Sequence, residues 1–148
     1  MLKKINHIGI AVTSLDETIP FYRDRLGMAL LGIEVVAEQK VRVAMLQAGE
    51  SKIELLEPTS PDSPVTRFLE KNGPGVHHLA YEVEDIDAAI LKLEQEGTRM
   101  IDRTSRAGAH GARIAFIHPK SSSGVLTELC QVGHSVRLGY RRPSQVVA

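Results

Sequence analysis

The chain has one cysteine, Cys130, in 148 residues. No disulfide can form within it, and a reducing compartment is expected. It has no net charge, with 18 Lys and Arg against 18 Asp and Glu. That argues against nucleic acid or an acidic membrane surface as its main partner. No apolar run approaches the roughly 20 residues of a membrane span. The opening MLKKINHIGI lacks the apolar centre of a secretory signal. Together these absences point to the cytoplasm. The length suits one compact domain or two fused halves sharing a core.

What the chain does have is an internal repeat. Ile5 to Asp16, INHIGIAVTSLD, and Gly75 to Asp87, GVHHLAYEVEDID, share a layout. A slide of about 71 positions pairs His7 with His78, Val12 with Val83, Leu15 with Ile86, Asp16 with Asp87 and Ile19 with Ile90. One small module has been built twice.

In chain order, Ile5 to Val12 reads as a buried strand. Ser14 and Glu17 form an S-x-x-E capping box, so a helix is predicted from Leu15 to Gly27, with Pro20 kinking it or delaying its start. Strands are predicted over Ala29 to Val36, Val41 to Gln47 and Ser51 to Leu56, with a hairpin at Glu38 to Lys40. The first half is thus β-α-β-β-β. The Pro/Ser/Asp cluster from Glu57 to Pro64 reads as a connector. Ser63 can cap and Pro64 can open a short helix to Asn72, stopped by Gly73. The second half repeats the order: a strand from Val76 to Val83, a helix from Ile86 to near Gly97, and a short strand at Met100 to Asp102. A flexible loop at Arg106 to Gly111 and strands at Arg113 to His118 and Val125 to Cys130 complete it. The expected division is one domain over 1–135, comprising module 3–57, linker 58–74 and module 75–132, followed by a loosely ordered tail, 136–148. The fold class is α+β.

Two glutamates interrupt apolar strands, Glu54 in KIELLEP and Glu128 in GVLTELCQ. A buried carboxylate needs a cation or a hydrogen-bond network. VAML at 43–46 matches IAFI at 114–117, and about three extra residues in the second copy bring Glu54 opposite Glu128. Each half therefore offers one histidine and one glutamate. His7, Glu54, His78 and Glu128 make a mixed N/O donor set suited to a divalent first-row ion rather than to structural zinc, which prefers thiolates. Strand alternation turns His77 away from His78, as a supporting or exposed group. Cys130 shares the face of Glu128 and reads as a buried structural thiol. His110 and His118 read as loop residues at the surface.

These paired modules with His…Glu…His…Glu resemble the vicinal oxygen chelate superfamily. IELLEP, NGPGVHHLAYEV, GAHG, FIHPK and GVLTEL, spread over residues 3 to about 132, resemble its methylmalonyl-CoA epimerase family. The resemblance implies two βαβββ modules forming a curved mixed sheet around a metal site. It makes His7, Glu54, His78 and Glu128 the metal ligands, with Co²⁺ favoured over Mn²⁺, Ni²⁺ or Zn²⁺. It further implies a CoA thioester substrate, proton abstraction at C2 and a homodimer, with either Glu128 doubling as ligand and base, as in the related glyoxalases, or a water or another side chain serving on the opposite face. Some bacterial members carry a glutamate where this chain has Val43, so a two-glutamate mechanism does not transfer directly. Lys120 and Arg113 are candidate contacts for the CoA phosphate or the substrate carboxylate. The alternatives are a glyoxalase I-type lactoylglutathione lyase, an extradiol dioxygenase, which would need Fe(II) and typically more modules, and a non-catalytic bleomycin-resistance-like binding protein. The complete quartet counts against the last.

Overall fold

The computed structural model describes residues 1–133, and the expected tail lies outside them. The chain forms two compact units, one of Ile5–Ala80 and one in which Met1–Lys4 joins the chain from Tyr81 onward. The β-α-β-β-β order occurs twice along the chain. It runs β1 (Leu2–Ala11), α1 (Leu15–Pro20), β2 (Ala29–Val36), β3 (Val41–Ala48) and β4 (Ser51–Pro58). After α2 (Pro64–Asn72) it runs β5 (Gly75–Val83), α3 (Ile86–Gln95), β6 (Arg106–Ala107), β7 (Arg113–Ile117) and β8 (Thr127–Gln131).

Within the Ile5–Ala80 unit the strand order is β2-β3-β4-β1-β5. β1 runs parallel to β4 with Gly9 opposite Glu54, and β3 runs antiparallel to β4 with Met45 opposite Glu54. Side chains alternate across a strand, so Ile53 and Leu55 turn to one face while Glu54 and Leu56 turn to the other. On the first face Leu55 joins Val12, Leu15, Ile19, Ala44 and Leu46 in a core beneath α1. Each of the larger side chains contributes about 1.5–3 kcal/mol by leaving water. Glu54 is left on the opposite face, which is what makes it available for chemistry.

The Ser14 hydroxyl accepts from the Glu17 amide, so α1 starts where the capping box places it. Pro20 does not delay the helix, which starts at Leu15. It closes the α-helical run, and Phe21–Arg25 continue as a π-helical turn in which the Leu26 amide donates to the Phe21 carbonyl at 3.0 Å. A proline has no N–H to give, and the wider i→i+5 pattern absorbs the gap. Gly27 then closes the turn at φ +79°. In α2, the fully buried Ser63 accepts from Val65 and Pro64 takes the first position.

In the unit containing Tyr81 onward, β6, β7 and β8 are antiparallel in that order. α3 packs Ile86, Ala89 and Ile90 on Val83, Ala115, Ile117 and Leu129. The strand expected at Met100–Asp102 is a single bridge from Met100 to Ile117. Beyond it the Ile101 and Asp102 amides share the Phe116 carbonyl, at 2.9 and 3.2 Å, and the Phe116 amide donates to the Asp102 side chain at 2.8 Å rather than to a strand carbonyl. The expected loop at Arg106–Gly111 holds β6 and a short 3₁₀ turn. Val125 lies before β8, in the turn, and His118 lies after β7, where its side chain caps a 3₁₀ turn.

α1 and α3 each carry a second cap that arrives from far along the chain. The Leu15 amide donates to Glu57 Oε2 at 2.8 Å, and the Ile86 amide donates to Gln131 Oε1 at 2.8 Å. Glu57 follows Glu54, and Gln131 follows Glu128, at the same short spacing. The repeat thus extends to how each helix is tied to its last strand.

Candidate metal centre

Three side chains of the Ile5–Ala80 unit converge. His7 rises from the middle of β1, Glu54 from β4 and His78 from β5, and all three are buried, at 4%, 6% and 3% exposure. One donor atom from each lies within 4.8 Å of the others. The two Nε2 atoms face each other at 3.1 Å, His7 Nε2 is 3.4 Å from Glu54 Oε2, and His78 Nε2 is 3.9 Å from Glu54 Oε1. Donors bound at about 2.1 Å to one first-row ion, near right angles to each other, stand about 3 Å apart. The spacing and the N/O chemistry fit a divalent cation.

Burial keeps both rings neutral. His7 is lowered to about 3, by loss of solvent first and Lys52 second. His78 is held well below the usual histidine range by burial and then by its neighbours His7 and His77. A neutral imidazole keeps a lone pair for a cation.

The rings are also oriented. His7 Nδ1 donates to Asn6 Oδ1 at 2.7 Å, which leaves Nε2 as the acceptor atom facing the cluster. The His78 ring sits against Gly9, where a Cβ would stand 2.1 Å from its Cε1. Gly9 is therefore the floor of the site. His77 is not turned away: its ring meets His78 edge to face at 5.2 Å between centroids, with Nδ1–Nδ1 at 2.9 Å.

The other expected residues fall as follows. Glu128 lies on β8 in the other unit, 3% exposed and opposite Phe116 in the β7–β8 register. Arg113, exposed at the start of β7, donates to the hydroxyl and carbonyl of Ser105. Lys120 is exposed in the turn after β7. Val43 is 2% exposed. Cys130 is buried with Ala112, Ile114 and Phe116. His110 is exposed, in the left-handed region at φ 56°.

Sequence reasoning missed Asn6 and Gly9. The glycine carried a signal, since glycine inside a strand often marks a close approach. Asn6 carried none, because adjacent strand residues ordinarily face opposite ways.

Residues 6–116 match the model of the glyoxalase/bleomycin resistance protein/dioxygenase superfamily. The ethylmalonyl-CoA/methylmalonyl-CoA epimerase of Cereibacter sphaeroides is 40% identical over 89% of this chain and 100% of its own length. The mitochondrial methylmalonyl-CoA epimerase of Mus musculus is 40% identical over 88% of this chain and 74% of its own length. A solved methylmalonyl-CoA epimerase in complex with methylmalonyl-CoA and NH4⁺ is 44% identical, covers 90% of this chain and 97% of its own, and superposes with a TM-score of 0.87. The chain therefore belongs to the glyoxalase/bleomycin resistance protein/dioxygenase superfamily and, within it, to the methylmalonyl-CoA epimerase family.

Proposed function

We infer that this chain interconverts (2R)- and (2S)-methylmalonyl-CoA by removing the C2 proton and returning it to either face. The observation that carries this is the buried convergence of His7, Glu54 and His78 in a chain similar to such epimerases over nearly its whole length. His7 and His78 would hold a divalent ion through Nε2 and Glu54 through a carboxylate oxygen, with Co²⁺ favoured over Mn²⁺, Ni²⁺ and Zn²⁺. When bound, such an ion supplies Lewis-acid stabilisation of the negative charge that builds on the thioester oxygen as the proton leaves.

Glu128, the repeat partner of Glu54 and likewise buried, is assigned as fourth donor and as the base that takes the C2 proton. Position 43 is valine, so the proton on the other face is not carried there. Arg113 and Lys120 are assigned to the anionic parts of the substrate. Both are exposed, and Arg113 is steadied by Ser105. Residues 1–135 are read as one catalytic domain, working as a homodimer in the cytoplasm.

The test is deuterium wash-in at C2 of each methylmalonyl-CoA epimer in D₂O, with metal-stripped protein before and after Co²⁺ is added. The expected outcome is metal-dependent exchange that scrambles the stereocentre, lost in Glu128→Gln. Absence of exchange with every divalent ion tried, alongside turnover of a glutathione hemithioacetal, would move the chain to lyase chemistry.

A further inference from the structure

The hydrogen bonds around the two candidate ligand histidines are not alike. His7 Nδ1 is bound to an amide oxygen, Asn6 Oδ1 at 2.7 Å. His78 Nδ1 is bound to a second imidazole, His77 Nδ1 at 2.9 Å. That second ring is itself held. His77 is half-buried and meets Phe68 of α2 edge to face, with centroids 5.0 Å apart and planes at 76°.

An imidazole that offers Nε2 to a cation as a lone pair carries its proton on Nδ1 when neutral. That proton needs an acceptor, and the acceptor decides both the tautomer and the ring's rotation. At His78 the atom in place is His77 Nδ1. The proton of His77 then resides on its own Nε2, so all three imidazoles stay neutral and each carries one proton.

We propose that His77 is a positioning residue: it accepts the Nδ1 proton of His78 and so holds the His78 lone pair on the point shared with His7 and Glu54, while Phe68 fixes His77. This rests on the metal-centre reading above and goes beyond it. It names a residue outside the donor set and makes α2, the connector between the two modules, a support of the centre.

The alternative is that His77 only packs against Phe68. Two substitutions separate these roles. His77→Asn places an amide oxygen near the position of Nδ1 and keeps an acceptor, whereas His77→Phe keeps a ring on Phe68 and removes it. Metal-stripped full-length protein is titrated with Co²⁺ by calorimetry, and thermal unfolding of the metal-free variants confirms that each is folded. The expected result is that His77→Phe binds Co²⁺ about 10–100-fold more weakly, with His77→Asn within a few-fold of the parent. In the Zn²⁺-loaded parent, ¹⁵N shifts of His78 should report a proton on Nδ1. If the parent binds Co²⁺ and His77→Phe binds it equally well, His77 has no positioning role. If the parent binds no divalent ion, the metal-centre reading falls, and this inference falls with it.

Discussion

At the scale of single residues, the site depends as much on an absent atom as on its donors. Gly9 has no special backbone angle, so its identity is set by space alone: the His78 ring occupies the volume a Cβ would fill. Gly9→Ala must displace that ring or separate the strands, and overpacking of this kind costs about 1–3 kcal/mol. Gly32 is the matched control, since nothing lies within 4 Å of the Cβ it would gain. Gly9→Ala should lower the melting temperature and abolish Co²⁺ binding, and Gly32→Ala should do neither. Equal behaviour of the two would show that the ring has another place to go.

At the scale of elements, what was legible was what is local. Ser14 with Glu17, and Ser63 with Pro64, announce helix starts within four residues of chain, and both caps form as read. The convergence of His7, Glu54 and His78 was legible because the repeat marks these positions twice, which no single strand would do. Contacts spanning the chain were not legible. The Leu15–Glu57 cap joins residues 42 apart and the Ile86–Gln131 cap residues 45 apart, and neither side chain differs in sequence from a surface residue. β6 escaped because two residues carry no period. The distant caps make a prediction of their own. Glu57→Ala should destabilise by about 1 kcal/mol, read as a fall in melting temperature, and Glu57→Gln should keep most of that stability by keeping an acceptor. Glu57 also pairs with Arg42 at 3.2 Å. Equal damage from both variants would therefore assign the effect to that ion pair instead.

At the scale of the whole molecule, two buried neutral histidines tie folding to acidity. The unfolded chain binds a proton at each near pH 6.5, whereas folded His7 does so only near 3. Between those values the unfolded state holds more protons, so stability rises with pH and is fully present above about 6.5. Metal-stripped protein should melt at a constant temperature above neutrality and progressively lower below pH 6. Each histidine contributes up to about 1.4 kcal/mol per pH unit. A melting temperature unchanged down to pH 4 would mean that protonated rings are accommodated in the fold.

The ring lying on Gly9 also bears on how the chain finds its fold. β1 and β5 are neighbours, and in β1 the residues on either side of Gly9 are Ile8 and Ile10. A slip of one position would bring an isoleucine beneath the His78 imidazole, where not even a methyl group fits. The site therefore proofreads the pairing of the two strands that build it, and a misregistered chain is rejected by the same contact that shapes the centre.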